Sequence, residues 1–88
     1  MSKPKKTKFE LAVIDKVREM RIDKEYTQEY LAGLLNVGRA FVAQAESPNT
    51  PSKYNLNHLN LLAKEMDCSP KDFMPDNWIV EDNWGEDN

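Results

Sequence analysis

The residues with the clearest chemical potential lie on one face of a helix predicted over residues 38–46. This face carries small and hydrogen-bonding side chains, namely Arg39, Ala40, Ala43 and Gln44. The apolar residues of the same segment recur at helical spacing on the opposite side, where they can be buried. The major groove of DNA admits a helix with such an outer face, so this segment is a candidate for contact with base pairs.

A second short helix, predicted over residues 28–35, precedes this segment. Thr27 is placed to cap its first turn, because a threonine hydroxyl can accept a free backbone N–H there. Three leucines share one apolar face, Leu31, Leu34 and Leu35. Asn36 tolerates the left-handed conformation that ends helices, and Gly38 permits a sharp entry into the next helix. The pattern therefore predicts two short helices that cross at a large angle.

This segment resembles the helix-turn-helix of the Xre family, the phage repressor and Cro-like DNA-binding domains. The residues that carry the resemblance are Thr27, Gln28, Leu31, Ala32, Val37, Val42 and Glu46. They lie within a longer match that runs from about Val13 to Phe73. The resemblance implies an all-α fold, a five-helix bundle of the lambda-repressor-like type, which binds double-stranded DNA specifically and regulates transcription.

The flanking sequence predicts the other three helices. Helix 1 is expected from near Thr7 to near Lys24, with Glu10 completing a capping box. Helix 4 is expected over about 56–66, after a breaker cluster at 47–51. Pro70, between the capping residues Ser69 and Asp72, predicts a short fifth helix over about 70–74. We divide the chain into a disordered basic arm (1–6), the helix-turn-helix domain (7–75) and an acidic tail that contains tryptophan (76–88).

The resemblance also assigns expected roles to individual residues. The start of helix 3 and its next turn supply the base contacts in this family, here Arg39, Ala40, Ala43 and Gln44. The expected phosphate contacts are Gln28, Gly38, Asn49, Thr50 and Lys53. Gly38 stands where the family often has serine or threonine, so one hydroxyl contact is lost. Arg21 and Glu46 match a structural ion pair.

The overall charge does not by itself favour DNA. Twelve cationic residues face fifteen acidic ones, which gives a net charge of −3. The cations include a basic arm of Lys3, Lys5, Lys6 and Lys8, whereas residues 76–88 carry acids without lysine or arginine. The distribution of charge matters more than the sum. The alternative hypothesis is a protein-interaction module, or an antitoxin-like protein that binds a partner, built on the same fold.

Catalysis and metal binding find little support. His58 stands alone, Cys68 is the single cysteine, and neither belongs to a cluster with metal-ligand spacing. We therefore expect no enzymatic activity, no cofactor and no metal. The chain has no apolar run of the roughly 18–20 residues that a membrane span needs, and its N-terminus lacks the apolar segment of a secretory signal. We expect a cytoplasmic protein.

The chain is expected to act as a dimer. One small domain makes few DNA contacts, so a homodimer on two half-sites is expected, with helix 5 and the Trp78 segment as its interface. Two alternatives stay open for the tail. Trp78 folds back onto helices 1 and 5 to complete the core, or it packs against a second copy. A protein partner that binds through the tail also stays open.

Overall fold

The computed structural model describes residues 5–85 and contains four α-helices followed by a short 3-10 helix. The helices are α1 (Lys8–Asp23), α2 (Gln28–Leu35), α3 (Arg39–Glu46) and α4 (Leu56–Glu65), and the 3-10 helix spans Pro70–Phe73. No strand occurs within residues 5–85. The predicted all-α class is therefore confirmed. None of the helices in this part of the chain is long and apolar enough to cross a membrane.

The predicted fifth α-helix is a single 3-10 turn. Ser69 caps it as predicted, and Pro70 occupies its first position. It ends at Phe73, and the next residue, Met74, has extended backbone angles. Met74 precedes Pro75, and the proline ring disfavours the helical conformation for the residue before it. The helix therefore stops after one turn, and the count of five α-helices is replaced by four α-helices and this turn.

Local sequence signals account for the helix boundaries around the helix-turn-helix. The Thr27 hydroxyl accepts the N–H of Tyr30 and so caps α2. Asn36 ends α2 in the left-handed conformation, with φ 56° and ψ 45°. The N–H of Val37 then reaches back to the carbonyl of Ala32 over 3.0 Å. This turn redirects the chain, so that α3 packs against α2 instead of continuing it.

The core lies where all four α-helices and the 3-10 turn meet. Its largest fully buried side chains are Phe73, Leu31, Leu62, Met66, Val17 and Val42. Phe73 fixes the 3-10 turn against α1 and α4, since that turn packs on both helices. On the other side, Phe41 of α3 contacts the rings of Tyr54 and His58, with centroids 6.0 and 5.2 Å away. Helix α3 is thereby held against the segment that leads into α4 and against the first turn of α4.

The tail returns to the start of α1, but Trp78 does not enter the core. Trp78 is 77% exposed, so the alternative in which it completes the core is wrong. The tail is held by Glu81, whose carboxylate accepts the N–H groups of Lys8 and Phe9 over 2.8 and 2.9 Å. Asp82 pairs with the Lys8 ammonium at 2.9 Å. Free N–H groups at a helix start attract carboxylates, which explains this attachment.

Candidate nucleic-acid interface

The outward face of α3 brings the four expected base-contact residues together. Arg39, Ala40, Ala43 and Gln44 are all exposed. On the inner face of the same helix, Val42 and Ala45 are fully buried. Neither the tail nor another described segment covers the outward face. The helix therefore presents one guanidinium, one carboxamide and two methyl groups on a single accessible surface.

A groove runs between the start of α2 and the start of α3. Its volume is about 520 Å³, and it is lined by Thr27, Gln28, Glu29, Arg39, Ala40 and Ala43. The groove places Gln28, an expected phosphate contact, beside three of the expected base contacts. Its one acidic lining residue, Glu29, is exposed. The two helix starts and their polar side chains thus form one continuous surface.

The N-terminus of α3 has no side-chain cap. Gly38 occupies the capping position without a side-chain hydrogen bond, and the first turn contains no acidic residue. Side chains cap α1, α2 and α4 instead, through Thr7, Thr27 and Asn55. The Gly38 backbone (φ −62°, ψ 147°) is open to any residue, and a Cβ there would meet nothing within 4 Å. The turn therefore does not require glycine, and the helix start stays open to an anion.

The C-terminus of α3 is fixed by a buried ion pair. Arg21 donates to both carboxylate oxygens of Glu46, over 2.7 and 3.0 Å. A third nitrogen of the same guanidinium donates to the carbonyl of Tyr26 over 2.8 Å. The two side chains are only 11% and 5% exposed. The residues expected to pair are thus in bidentate contact, and the contact ties α3 to α1.

Gln28 extends this network to the start of α2. Its side-chain nitrogen donates to Glu46 over 2.9 Å, and the residue is only half-buried. This contact joins the start of α2 to the end of α3. A primary amide has two N–H donors, so one remains for a second acceptor. The position is compatible with a phosphate contact and a structural contact from the same side chain.

Lys6 adds a contact that the sequence did not suggest. Its ammonium donates to the carbonyls of Gln44 (3.1 Å), Ala45 (2.7 Å) and Ser47. The residue is 3% exposed, so it is not part of a free arm, although Lys5 beside it is exposed. Burial lowers the pKa of Lys6, and the nearby Glu10 carboxylate opposes that effect. Residues 1–4, including Lys3, lie outside the described residues.

Several polar groups of the loop after α3 form hydrogen bonds within the protein. Thr50 donates its hydroxyl proton to the carbonyl of Gln44, so only its backbone N–H remains as a donor to phosphate. The Asn49 N–H donates to the Ser47 hydroxyl over 3.2 Å, while the side chain is exposed. Ser52 donates to the side-chain oxygen of Gln44 over 3.4 Å. The loop thus supports the last turn of α3.

Lys53 forms an ion pair with Glu10 of α1. Glu10 also accepts the backbone N–H of Thr7 as part of the α1 capping box. Burial acts to raise the pKa of Glu10, but the hydrogen bonds from Lys53 and Thr7 outweigh it and hold that pKa below its usual value. The expected phosphate contact at Lys53 therefore competes with an internal carboxylate.

The groups considered for catalysis have structural surroundings. His58 accepts the N–H of Asn55 through Nδ1 and completes the α4 capping box. Cys68 is half-buried, and burial raises the pKa of its thiol, which disfavours the reactive thiolate. Within residues 5–85, no cluster of three histidine, cysteine or carboxylate residues could hold a metal ion. The polar surface of α3 is thus the candidate site that remains.

Comparison with known proteins agrees with this geometry. The model of the Cro/C1-type HTH DNA-binding domain matches residues 16–77. Among solved structures, the chain is similar to the restriction-modification controller protein C.AhdI from Aeromonas hydrophila. The identity is 28% and the TM-score 0.60, over 73% of this chain and 96% of that one.

A second solved structure shares the fold. The hypothetical transcription factor NHTF from Neisseria is 21% identical, with a TM-score of 0.63 over 75% of each chain. A comparison with curated proteins finds no match. The family match spans α2, α3 and α4 and therefore includes the whole of the polar surface described above.

Proposed function

The chain belongs to the family of Cro/C1-type HTH DNA-binding domains, and we propose that its α3 recognises base pairs in the major groove of double-stranded DNA. The family match and the similarity to a controller protein support DNA-binding transcriptional regulation as the function of this protein. The observation that carries the proposal is the exposure of Arg39, Ala40, Ala43 and Gln44 on a helix whose C-terminal end is fixed from behind. A helix held in this way can enter the groove without rearrangement.

The four exposed residues match distinct features of base edges. Arg39 pairs with O6 and N7 of a guanine through two parallel N–H groups. Gln44 pairs with N6 and N7 of an adenine, and its amide is accessible for that contact. Ala40 and Ala43 contact the methyl groups of thymines. The face thus selects a short sequence that contains both purines.

Phosphate contacts surround this face. The open start of α3 at Gly38 and the second amide proton of Gln28 line one side. On the other side, Asn49 supplies its side chain, and Thr50 supplies its backbone N–H. Lys53 joins them by exchanging its Glu10 partner for a phosphate. These contacts fix the register of α3, whereas the base contacts specify the sequence.

Two copies acting together supply the affinity that one domain lacks. A single small module buries little surface on DNA, so a homodimer on two half-sites is the expected assembly. Large apolar side chains support an interface, since Trp78, Val80 and Leu56 are 77%, 62% and 79% exposed. The 3-10 turn and the Trp78 segment remain our candidates for this contact.

The same exposed residues favour a second candidate function. A tail that carries Trp78 and Val80 beside acidic residues also suits a different protein partner, as in an antitoxin-like protein. In that case the helix-turn-helix would serve as a scaffold, and DNA affinity would be absent. The two hypotheses differ in a property that can be measured without knowledge of the partner.

A salt titration of DNA binding distinguishes them. Fluorescence anisotropy with a labelled duplex of random sequence gives the affinity, beginning at low salt and increasing stepwise. The logarithm of the affinity should fall linearly with the logarithm of salt concentration, by roughly 0.9 for each phosphate contacted. Failure to bind any duplex at low salt would reject the DNA-binding proposal in favour of the protein-interaction module.

A further inference from the structure

We propose that Lys6 is a positioning residue for DNA recognition, which holds the last turn of α3 so that Gln44 keeps its orientation toward the bases. This inference rests on the proposed function of α3. Lys6 lies 38 residues before Gln44 in the chain and reaches the helix from the segment that precedes α1. It acts through the backbone of α3 and does not itself touch DNA.

The hydrogen bonding of Lys6 is complete. An ammonium group has three N–H donors, and three carbonyls accept from it, those of Gln44, Ala45 and Ser47. The residue is 3% exposed. Because every donor is used and the side chain is shielded from solvent, Lys6 has no donor left for a phosphate. The Lys6 ammonium therefore interacts with backbone carbonyls inside the protein.

Helix α3 needs such a contact because its own sequence does not supply one. The helix has eight residues, and its last turn contains no basic residue. Its capping residue Ser47 is extended (φ −85°, ψ 130°), so the helix does not end in the left-handed turn that satisfies terminal carbonyls. The final carbonyls of a helix lack partners within the helix and carry partial negative charge. A buried cation from another segment satisfies both requirements.

The contact lies directly behind the recognition face. Gln44 exposes its side chain on the outer face, while its carbonyl accepts from both Lys6 and Thr50. Loss of the Lys6 donors leaves the Ala45 carbonyl without this partner, and the turn that carries Gln44 is then held less firmly, by Thr50 and the contacts of Glu46. Arg39, five positions earlier at the opposite end, keeps its own surroundings. Lys6 should therefore affect the base pair that Gln44 contacts more than the one that Arg39 contacts.

The variant Lys6→Met tests this role, with Lys5→Met as the matched control. Methionine keeps an unbranched apolar side chain but removes the three donors, and Lys5 is an exposed lysine one position away. Binding of a duplex chosen by in-vitro selection, and of an unrelated duplex, is measured over a salt series. Circular dichroism first identifies a temperature at which all variants are folded.

The expected result separates positioning from phosphate contact. Lys6→Met should bind the selected duplex about tenfold more weakly, in line with the loss of one bidentate base contact by Gln44. The unrelated duplex should be nearly unaffected, and the salt dependence should match that of the wild type, since no phosphate contact is lost. Lys6→Arg, which keeps the charge and several donors, should bind with an affinity between those of the wild type and Lys6→Met.

Three results would overturn the inference. The first is that Lys6→Met binds each of the two duplexes with the same affinity as the wild type. The second is an equal loss on both duplexes with a shallower salt dependence, which would make Lys6 a phosphate contact. The third is a full loss of binding in Lys6→Arg while it remains folded. If the wild type itself binds no duplex at low salt, the proposed function fails, and the inference fails with it.

Discussion

The two ends of α3 differ sharply in how they are held. At the C-terminal end, side chains from four separate segments converge on residues 44–47, those of Lys6, Arg21, Gln28 and Thr50. At the N-terminal end, Gly38 provides no side-chain cap, and Arg39 is exposed. The helix is therefore anchored at one end and accessible at the other.

This asymmetry shows how a short helix can be rigid and still available to a ligand. Eight residues cannot form a stable helix in isolation, so α3 depends on contacts with the rest of the domain. Placing those contacts at the C-terminal end leaves the first turn and the outer face unobstructed. A cap at the N-terminal end would add a little stability but would occupy the position that suits a phosphate.

The strongest test of the anchored end is Glu46→Ala. The substitution leaves the Arg21 guanidinium buried without its carboxylate and removes the acceptor of Gln28. Breaking a buried ion pair costs about 3–5 kcal/mol of unfolding free energy. In a domain of this size such a loss should lower the melting temperature by more than about 10 °C, measured by thermal circular dichroism.

Glu29→Ala is the matched control for that measurement. Glu29 is an exposed glutamate in the first turn of α2 and forms no ion pair within residues 5–85. Its removal should change the unfolding free energy by no more than about 0.5 kcal/mol. Similar melting temperatures for the two variants would contradict the anchoring role of Glu46.

The accessible end is tested by Arg39→Ala, for which the effect should be on DNA and not on folding. Loss of a bidentate base contact costs about 1–3 kcal/mol of binding free energy and relaxes the preference at one base pair. The melting temperature should stay close to that of the wild type because the side chain is exposed. Competition with duplexes altered at single positions measures both the loss of binding free energy and the preference at each base pair. Unchanged preference at every position would exclude Arg39 as a base contact.

A smaller effect is expected from acid, through Glu10. Hydrogen bonds from Lys53 and Thr7 outweigh burial and hold the pKa of Glu10 below its ordinary value of 4.5. A carboxyl group with a lowered folded pKa stabilises the protein fully above its unfolded pKa, and this contribution disappears as pH falls through the folded value. Between pH about 5 and 3, the wild type should lose up to ~1 kcal/mol more than Glu10→Gln. The unfolding free energy is measured by urea denaturation at each pH. The same pH dependence in the two proteins would contradict this contribution.

The smallest expected change comes from giving the accessible end a cap. Gly38→Ser fits the present backbone, and its Cβ meets no neighbour within 4 Å. A serine cap should raise the unfolding free energy by a few tenths of a kcal/mol relative to glycine. Denaturation midpoints measured side by side detect such a difference. A decrease in stability would show that this helix start is constrained in a way that its geometry does not reveal.

Local features of the fold could be predicted from the sequence, because they depend on neighbours along the chain. Thr7, Thr27 and Asn36 cap or end helices as their residue types indicate. The end of the last helix also has a local cause, since Met74 precedes Pro75. The four α-helices were therefore accessible from the sequence, whereas the last element is a 3-10 turn where an α-helix was predicted.

The contacts that hold the site could not be predicted in the same way. Lys6 contacts carbonyls that lie 38 to 41 positions later in the chain. Glu81 contacts the start of α1, which lies 72 to 73 positions earlier. Neither spacing nor charge patterning specifies such pairs, because they arise only when distant segments pack together. Arg21 and Glu46 were accessible only because the resemblance to a family supplied their pairing. The base and phosphate contacts likewise came from the resemblance and remain predictions.

The most direct test of the central claim is in-vitro selection of bound sequences from a random duplex pool with the wild-type protein. If α3 recognises bases as a member of a dimer, the enriched sequences should form an inverted repeat whose half-sites lie about 10–10.5 base pairs apart, or a multiple of that spacing. A pool that shows no preferred sequence after repeated rounds would contradict recognition by the outward face of α3.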